Sequence, residues 1–174
     1  RLYRRTFQWE ALVELMTEHQ HTLNDGSLSK MHVDLTRVLI EKLEDGERAL
    51  EALESGLAAC ADVILIEYAT NVFLDEALCQ TSDLVRSRLA IALTPHVPEE
   101  QYQTRIACHL AKADDFHDDS PEQQIELRAA AALFLQTERP NDAFDLFVRC
   151  FKASGSESDA ESLRNFETLE FQKR

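Results

Sequence analysis

Histidine, cysteine and carboxylate side chains are the groups that ligate metals, move protons and attack carbonyl carbons, so their spacing in this 174-residue chain comes first. His19 and His21 stand two apart in a stretch with helical periodicity. They project to different sides and do not share a metal, so they read as surface histidines. Cys108 and His109 are adjacent, which on a helix sets them about 100° apart, out of reach as nucleophile and base. His109 with Asp114, Asp115, His117, Asp118 and Asp119 is the richest run and holds the oxygen and imidazole groups that a divalent cation takes. The run lacks the spacing and the glycine of a calcium loop, so an acidic helix end and charged loop is the expectation. Cys60, Cys79, Cys108 and Cys150 contain no C-x-x-C pair and read as reduced, mostly buried thiols. No glycine-rich phosphate loop and no G-x-S-x-G elbow occurs. With no constellation passing a geometric test for catalysis, the expectation is a non-enzyme with neither metal nor cofactor.

The elements that carry these side chains are helices. Hydrophobic residues make up 44% and charged residues 29%, while Gly and Pro number only four each, too few for a sandwich or barrel. Apolar residues recur at helical spacing almost throughout, punctuated by Asn24-Asp25-Gly26-Ser27, Glu44-Asp45-Gly46, Pro95, Asp118-Asp119-Ser120-Pro121, Glu138-Arg139-Pro140-Asn141 and Ser154-Gly155-Ser156. About nine helices are expected: 6–23, 28–43, one after Gly46, 63–78 capped by Asp62, one capped by Thr81-Ser82-Asp83, 98–115 with Pro98 in its first turn, 121–137, one around Phe144–Phe151, and 158–171. Short turns favour antiparallel neighbours, and no linker divides the chain, so 1–174 reads as a single helical domain. The formal charge of −14 excludes a general nucleic-acid binder. No apolar run approaches the roughly 18 residues that a membrane-spanning helix needs, the strongly apolar Val63-Ile64-Leu65-Ile66 included. Together with the cysteines, the absence of a signal-peptide pattern suggests a cytoplasmic protein. A start at Arg1 suggests a piece of a larger chain.

The chain also repeats itself. A shift of 34 residues lays Leu50 over Leu84, Gly56 over Ala90 and Leu57 over Ile91. A shift of 94 lays Leu39-Ile40 over Leu133-Phe134, Ala49-Leu50 over Ala143-Phe144, Leu53 over Phe147 and Leu57 over Phe151. Small residues where two helices approach and large apolar ones between them, at this period, resemble the tetratricopeptide repeat family. In unit 124–153, Leu127, Ala130, Ala131 and Phe134 stand at the first-helix signature and Ala143, Phe147, Cys150 and Phe151 at the second. In unit 30–59, Ala49, Leu53, Gly56 and Leu57 match the second helix, whereas Arg37 replaces a small residue in the first. Unit 64–97 is degenerate, keeping Ala90 and Pro95 but carrying Asp83 in place of Ala. Between 98 and 123 only about 26 residues separate two units, so the helix there is unpaired or the alternation shifts.

The resemblance implies helix pairs stacked as a right-handed superhelical solenoid with a concave groove lined by the first helix of each pair. Carried over to this chain, the groove holds Asp34, Val38 and Glu41, then Tyr68, Val72 and Asp75, then Arg128, Ala132 and Gln136. Asp34 and Val38 replace two of the residues by which some members clamp a terminal carboxylate, so a basic or amphipathic segment of a protein partner is the expected occupant. The function implied is a non-catalytic adaptor or scaffold module, with self-association open to it. The alternative is an all-α regulatory domain that senses a small ligand in a closed pocket and controls an attached effector. A third possibility comes from His117-Asp118, which resembles the paired His-Asp of helical metal-dependent phosphohydrolases but sits in a loop without clear further ligands.

Overall fold

Four helix starts are set by short side chains, Asn24, Asp45, Asp62 and Ser120, that accept from the free N–H groups of a first turn. The computed structural model describes residues 8–75 and 83–172, the side chains of 83–85 and 167–172 excepted. Nine α-helices and no strand occur among the described residues. Their contacts group into two compact units, 1–96 and 97–174.

In the first unit α1 (Trp9–His19) runs into a 3₁₀ turn, Gln20–Thr22. Asn24 caps α2 (Asp25–Leu43), its side chain accepting from the Ser27 N–H. Asp45 caps α3 (Gly46–Cys60) through the Arg48 N–H at 3.0 Å. Asp62 caps α4 (Val63–Leu74) through the Leu65 N–H at 3.0 Å. Then come α5 (Asp83–Leu93) and a second 3₁₀ turn, Thr94–His96. At the 44–46 break Glu44, not Gly46, takes the left-handed conformation that ends α2, and Gly46 already belongs to α3. Helix α2 packs on α1, α3 and α4, while α5 packs on α3 and α4. Leu12 and Val13 of α1, Met31, Leu35, Val38 and Leu39 of α2, and Ala49 and Ala52 of α3 form one buried cluster. Leu65, Ala69 and Phe73 of α4 and Leu89, Ala90 and Leu93 of α5 are also buried.

In the second unit α6 (Tyr102–Asp115), α7 (Pro121–Gln136), α8 (Pro140–Ser154) and α9 (Glu157–Gln172) each pack on the next. Ser120 caps α7, with Pro121 in its first turn where the missing N–H costs nothing. Gly155 ends α8 at φ 60°, a conformation that costs a residue with a Cβ about 1 kcal/mol or more. The core joins Ile106, Ala131, Phe134, Ala143, Phe147 and Phe166.

Three expectations change here. Pro98 does not open the sixth helix: its carbonyl accepts from the Gln101 N–H at 3.1 Å in a separate turn, and α6 starts at Tyr102. Helix α6 is not unpaired, since it packs along α7. The helical stripe Phe144, Phe147 and Phe151 predicts three core side chains, but Phe144 and Phe151 flank the buried line Ala143–Phe147–Cys150 and are 37% and 38% exposed, although Phe144 meets Phe166 edge-on at 5.8 Å. The basic start at Arg1, Arg4 and Arg5, the end of the fourth helix at 76–78, Cys79 and the Thr81-Ser82 cap lie outside the described residues.

Candidate partner-binding face

Helix α2 carries Asp34, Arg37, Val38 and Glu41 within two turns, so these side chains share a face at i, i+3, i+4 and i+7. Because α2 packs on α4, that face meets Tyr68. The Arg37 guanidinium carbon lies 5.7 Å from the centre of the Tyr68 ring, within the range of a cation–π contact. Arg37 also pairs with Asp34 at 3.4 Å and reaches Glu41 at 4.0 Å, and Lys42 stands 3.8 Å from Glu41. Burial raises the pKa of the Tyr68 hydroxyl; Arg37 pulls it down and Glu41 and Asp34 push it up, with a net rise. Tyr68 therefore stays a neutral phenol, half-buried, with an apolar ring and a polar tip.

Beside it lies a hollow of about 170 Å³ lined by Trp9, Asp34, Arg37, Val38, Glu41 and Lys42. Trp9 does two things here: it packs against the α1–α3 core and forms one wall of the hollow. Val38 and Val72 are buried at 6% and 7% exposure, so their main part is to hold α2 and α4 in place; only Val38 also edges the hollow. Asp75 is exposed at the end of α4, where its N–H donates to the Asn71 carbonyl.

No protein-family model, no curated protein and no solved structure matches the chain.

The remaining expected groove residues belong to the second unit. Arg128 holds Asp159 with two hydrogen bonds of 2.7 and 2.8 Å and donates to Gln124. Asp159 is 1% exposed and also accepts from Ser154. A guanidinium committed to a buried carboxylate is a structural tie between α7 and α9, and it is not free to greet a partner. Ala132 and Gln136 are exposed on α7.

The acidic run lies where the sequence places it, at the end of α6 and in the following loop, with Asp114 to Asp119 exposed. His109 is engaged by α7: its Nδ1 meets Glu126 at 2.5 Å, and Lys112 meets the same carboxylate at 3.0 Å. Burial works against the charge on Glu126, but the two hydrogen bonds outweigh it and its pKa falls. Among the described residues no three His, Cys, Asp or Glu side chains converge as a metal site would need. Cys108 and Cys150 are buried and Cys60 is half-buried. Two residues escape a reading of the sequence. Arg37 is missed because its contact is with a different helix. His32 is missed although it falls on the Leu28–Leu35–Leu39 stripe that α2 buries, which is the signal that marks it.

Proposed function

We propose that the chain is a non-catalytic protein-interaction module of the tetratricopeptide-like kind. Its helix pairs stack as a right-handed solenoid, and it binds a basic or amphipathic segment of a protein partner. The observation that carries this is the α2–α4 face: a half-buried tyrosine flanked by Asp34 and Glu41, with an aromatic-walled hollow alongside. The tyrosine supplies a rigid amphipathic anchor, and the carboxylates, held only by weak exposed ion pairs with Arg37 and Lys42, can exchange those partners for a cationic segment. The packing of α2 on α4 and α3 on α5, besides each pair's own contact, supports stacked pairs over a simple up-and-down bundle. Gly56 supports it too, as the small residue at the close approach of α3 to α2.

An affinity capture with residues 1–174 from native lysate, at low and high salt, tests the proposal. The Tyr68→Ala/Asp75→Lys double variant, checked for its helical melt, is the comparison. A discrete partner that high salt weakens and the double variant loses supports the face. A partner indifferent to both contradicts it. The second reading, a ligand-sensing regulatory domain, has one observation in its favour: a larger cleft between α1, α2 and α3.

A further inference from the structure

A cleft of about 480 Å³ opens between α1, α2 and α3, on a side of α2 separate from Asp34 and Glu41. That volume is in the range of small-molecule sites. Val13, Leu35, Leu39 and Ala52 form its apolar wall. Glu14, Glu18 and Glu51 stand exposed at its edge, and none of the three has an ion-pair partner among the described residues. The one cation of the lining, Arg48, is already engaged: it binds both carboxylate oxygens of Glu10 at 3.1 to 3.2 Å and lies 3.6 Å from Asp45. The edge therefore carries three uncompensated negative charges.

The lining also contains His32, which is 2% exposed. Its Nδ1 is buried without a hydrogen-bond partner. A buried polar atom left unpaired costs about 1–3 kcal/mol unless something completes it. Burial holds the pKa of His32 down against a hydrogen bond with the Ala52 backbone, which raises it, so the ring is neutral at neutral pH. A neutral imidazole offers one nitrogen that donates and one that accepts. It suits a hydroxyl or an amine.

We infer that this cleft binds a small amphipathic cation, with an ammonium head among Glu14, Glu18 and Glu51, an apolar body against Leu35 and Leu39, and a hydroxyl or amine at its inner end for His32. The charge of the edge selects against anions, and the apolar wall selects against fully polar amines. The cleft is bounded by helices of one unit and its volume is that of a small-molecule site, so it fits a compact molecule better than an extended peptide.

Titration of the full chain with 8-amino-1-octanol, followed by calorimetry and by backbone and histidine-ring NMR shifts, tests this. Saturable binding is expected, with shifts centred on Glu14, Thr17, His32 and Ala52. The anionic match, 8-hydroxyoctanoate, should bind at least about tenfold more weakly. The Glu14→Gln/Glu18→Gln/Glu51→Gln variant should lose about tenfold, as three exposed charge contacts would. A Glu122→Gln/Glu138→Gln/Glu161→Gln variant of the second unit, and Tyr68→Ala, should bind as the parent does. Absence of saturable shifts, equal binding of the anion, or indifference to the first triple variant overturns the site. A capped Lys–Leu peptide that shifts these residues where the amino alcohol does not would overturn the small-molecule assignment.

Discussion

His32 is the residue whose protonation the fold most plainly opposes. Its folded pKa lies below the ordinary value of 6.5 because burial disfavours the charged ring. As pH falls through that value, the unfolded chain takes up a proton that the native chain does not. Stability is therefore fullest above 6.5 and is lost progressively below it. Urea unfolding at pH 7.5 and 5.5 should show a loss of about 1 kcal/mol, and His32→Asn should flatten that dependence. Asp159 behaves in the opposite range. Its hydrogen bonds to Arg128, joined by that from Ser154, hold its carboxyl below the usual value against the cost of burial. Its contribution is present at neutral pH and is lost only as pH falls through the depressed value. Arg128→Ala leaves the buried carboxylate with Ser154 alone and should cost about 2–3 kcal/mol by urea unfolding. That is toward the low end for a buried pair because the arginine is itself one-third exposed. A loss under about 0.5 kcal/mol would contradict the tie. Arg128 was legible in the sequence as a residue on the exposed side of a helix, but its partner lies 31 positions away, and no local pattern encodes such a distance.

At the scale of elements, Gly56 decides how closely α3 approaches α2. A Cβ there would sit 2.8 Å from His32 Cγ and 2.9 Å from Leu65 Cδ2. Glycine inside a helix loses about 1 kcal/mol relative to alanine in propensity, so a freely accommodated Gly56→Ala would stabilise. The overlap predicts the reverse, a net loss of about 1–2 kcal/mol with the His32 ring displaced. A raised melting temperature for Gly56→Ala would show that the helices have room to spare. The small residue at this place was readable from the repeat and the Asp62 cap from the residues around it, because side-chain size and local hydrogen bonding set them. The α6 start was misread because Pro98 satisfies the rules for a first helical position and for a turn equally well. The outward turn of Phe151 was missed because 3.6-residue spacing marks a stripe but not its width.

At the scale of the whole molecule, the two units carry the same balance, nine basic against sixteen acidic side chains and −7 apiece. Each has its own buried cluster. Residues 1–96 and 97–174 expressed separately are therefore expected to be helical and to melt cooperatively, and circular dichroism of the two pieces checks it. No element of membrane-spanning length and apolarity occurs among the described residues. The all-α class and helix number were legible because periodicity runs through nearly every segment. The grouping into two units was not, since no Pro- or Gly-rich linker marks 96/97. The α2–α4 face was half legible: Asp34, Glu41 and Tyr68 do come together, but Arg37 over the tyrosine depends on packing between helices. Selection of displayed random peptides against the full chain, followed by binding of the winners to Tyr68→Ala/Glu41→Lys, puts that face to the most direct test. Enriched peptides should carry net positive charge around an apolar anchor and should lose about tenfold or more in the double variant. Neutral or acidic winners, or winners that bind the double variant as well as the parent, would contradict it.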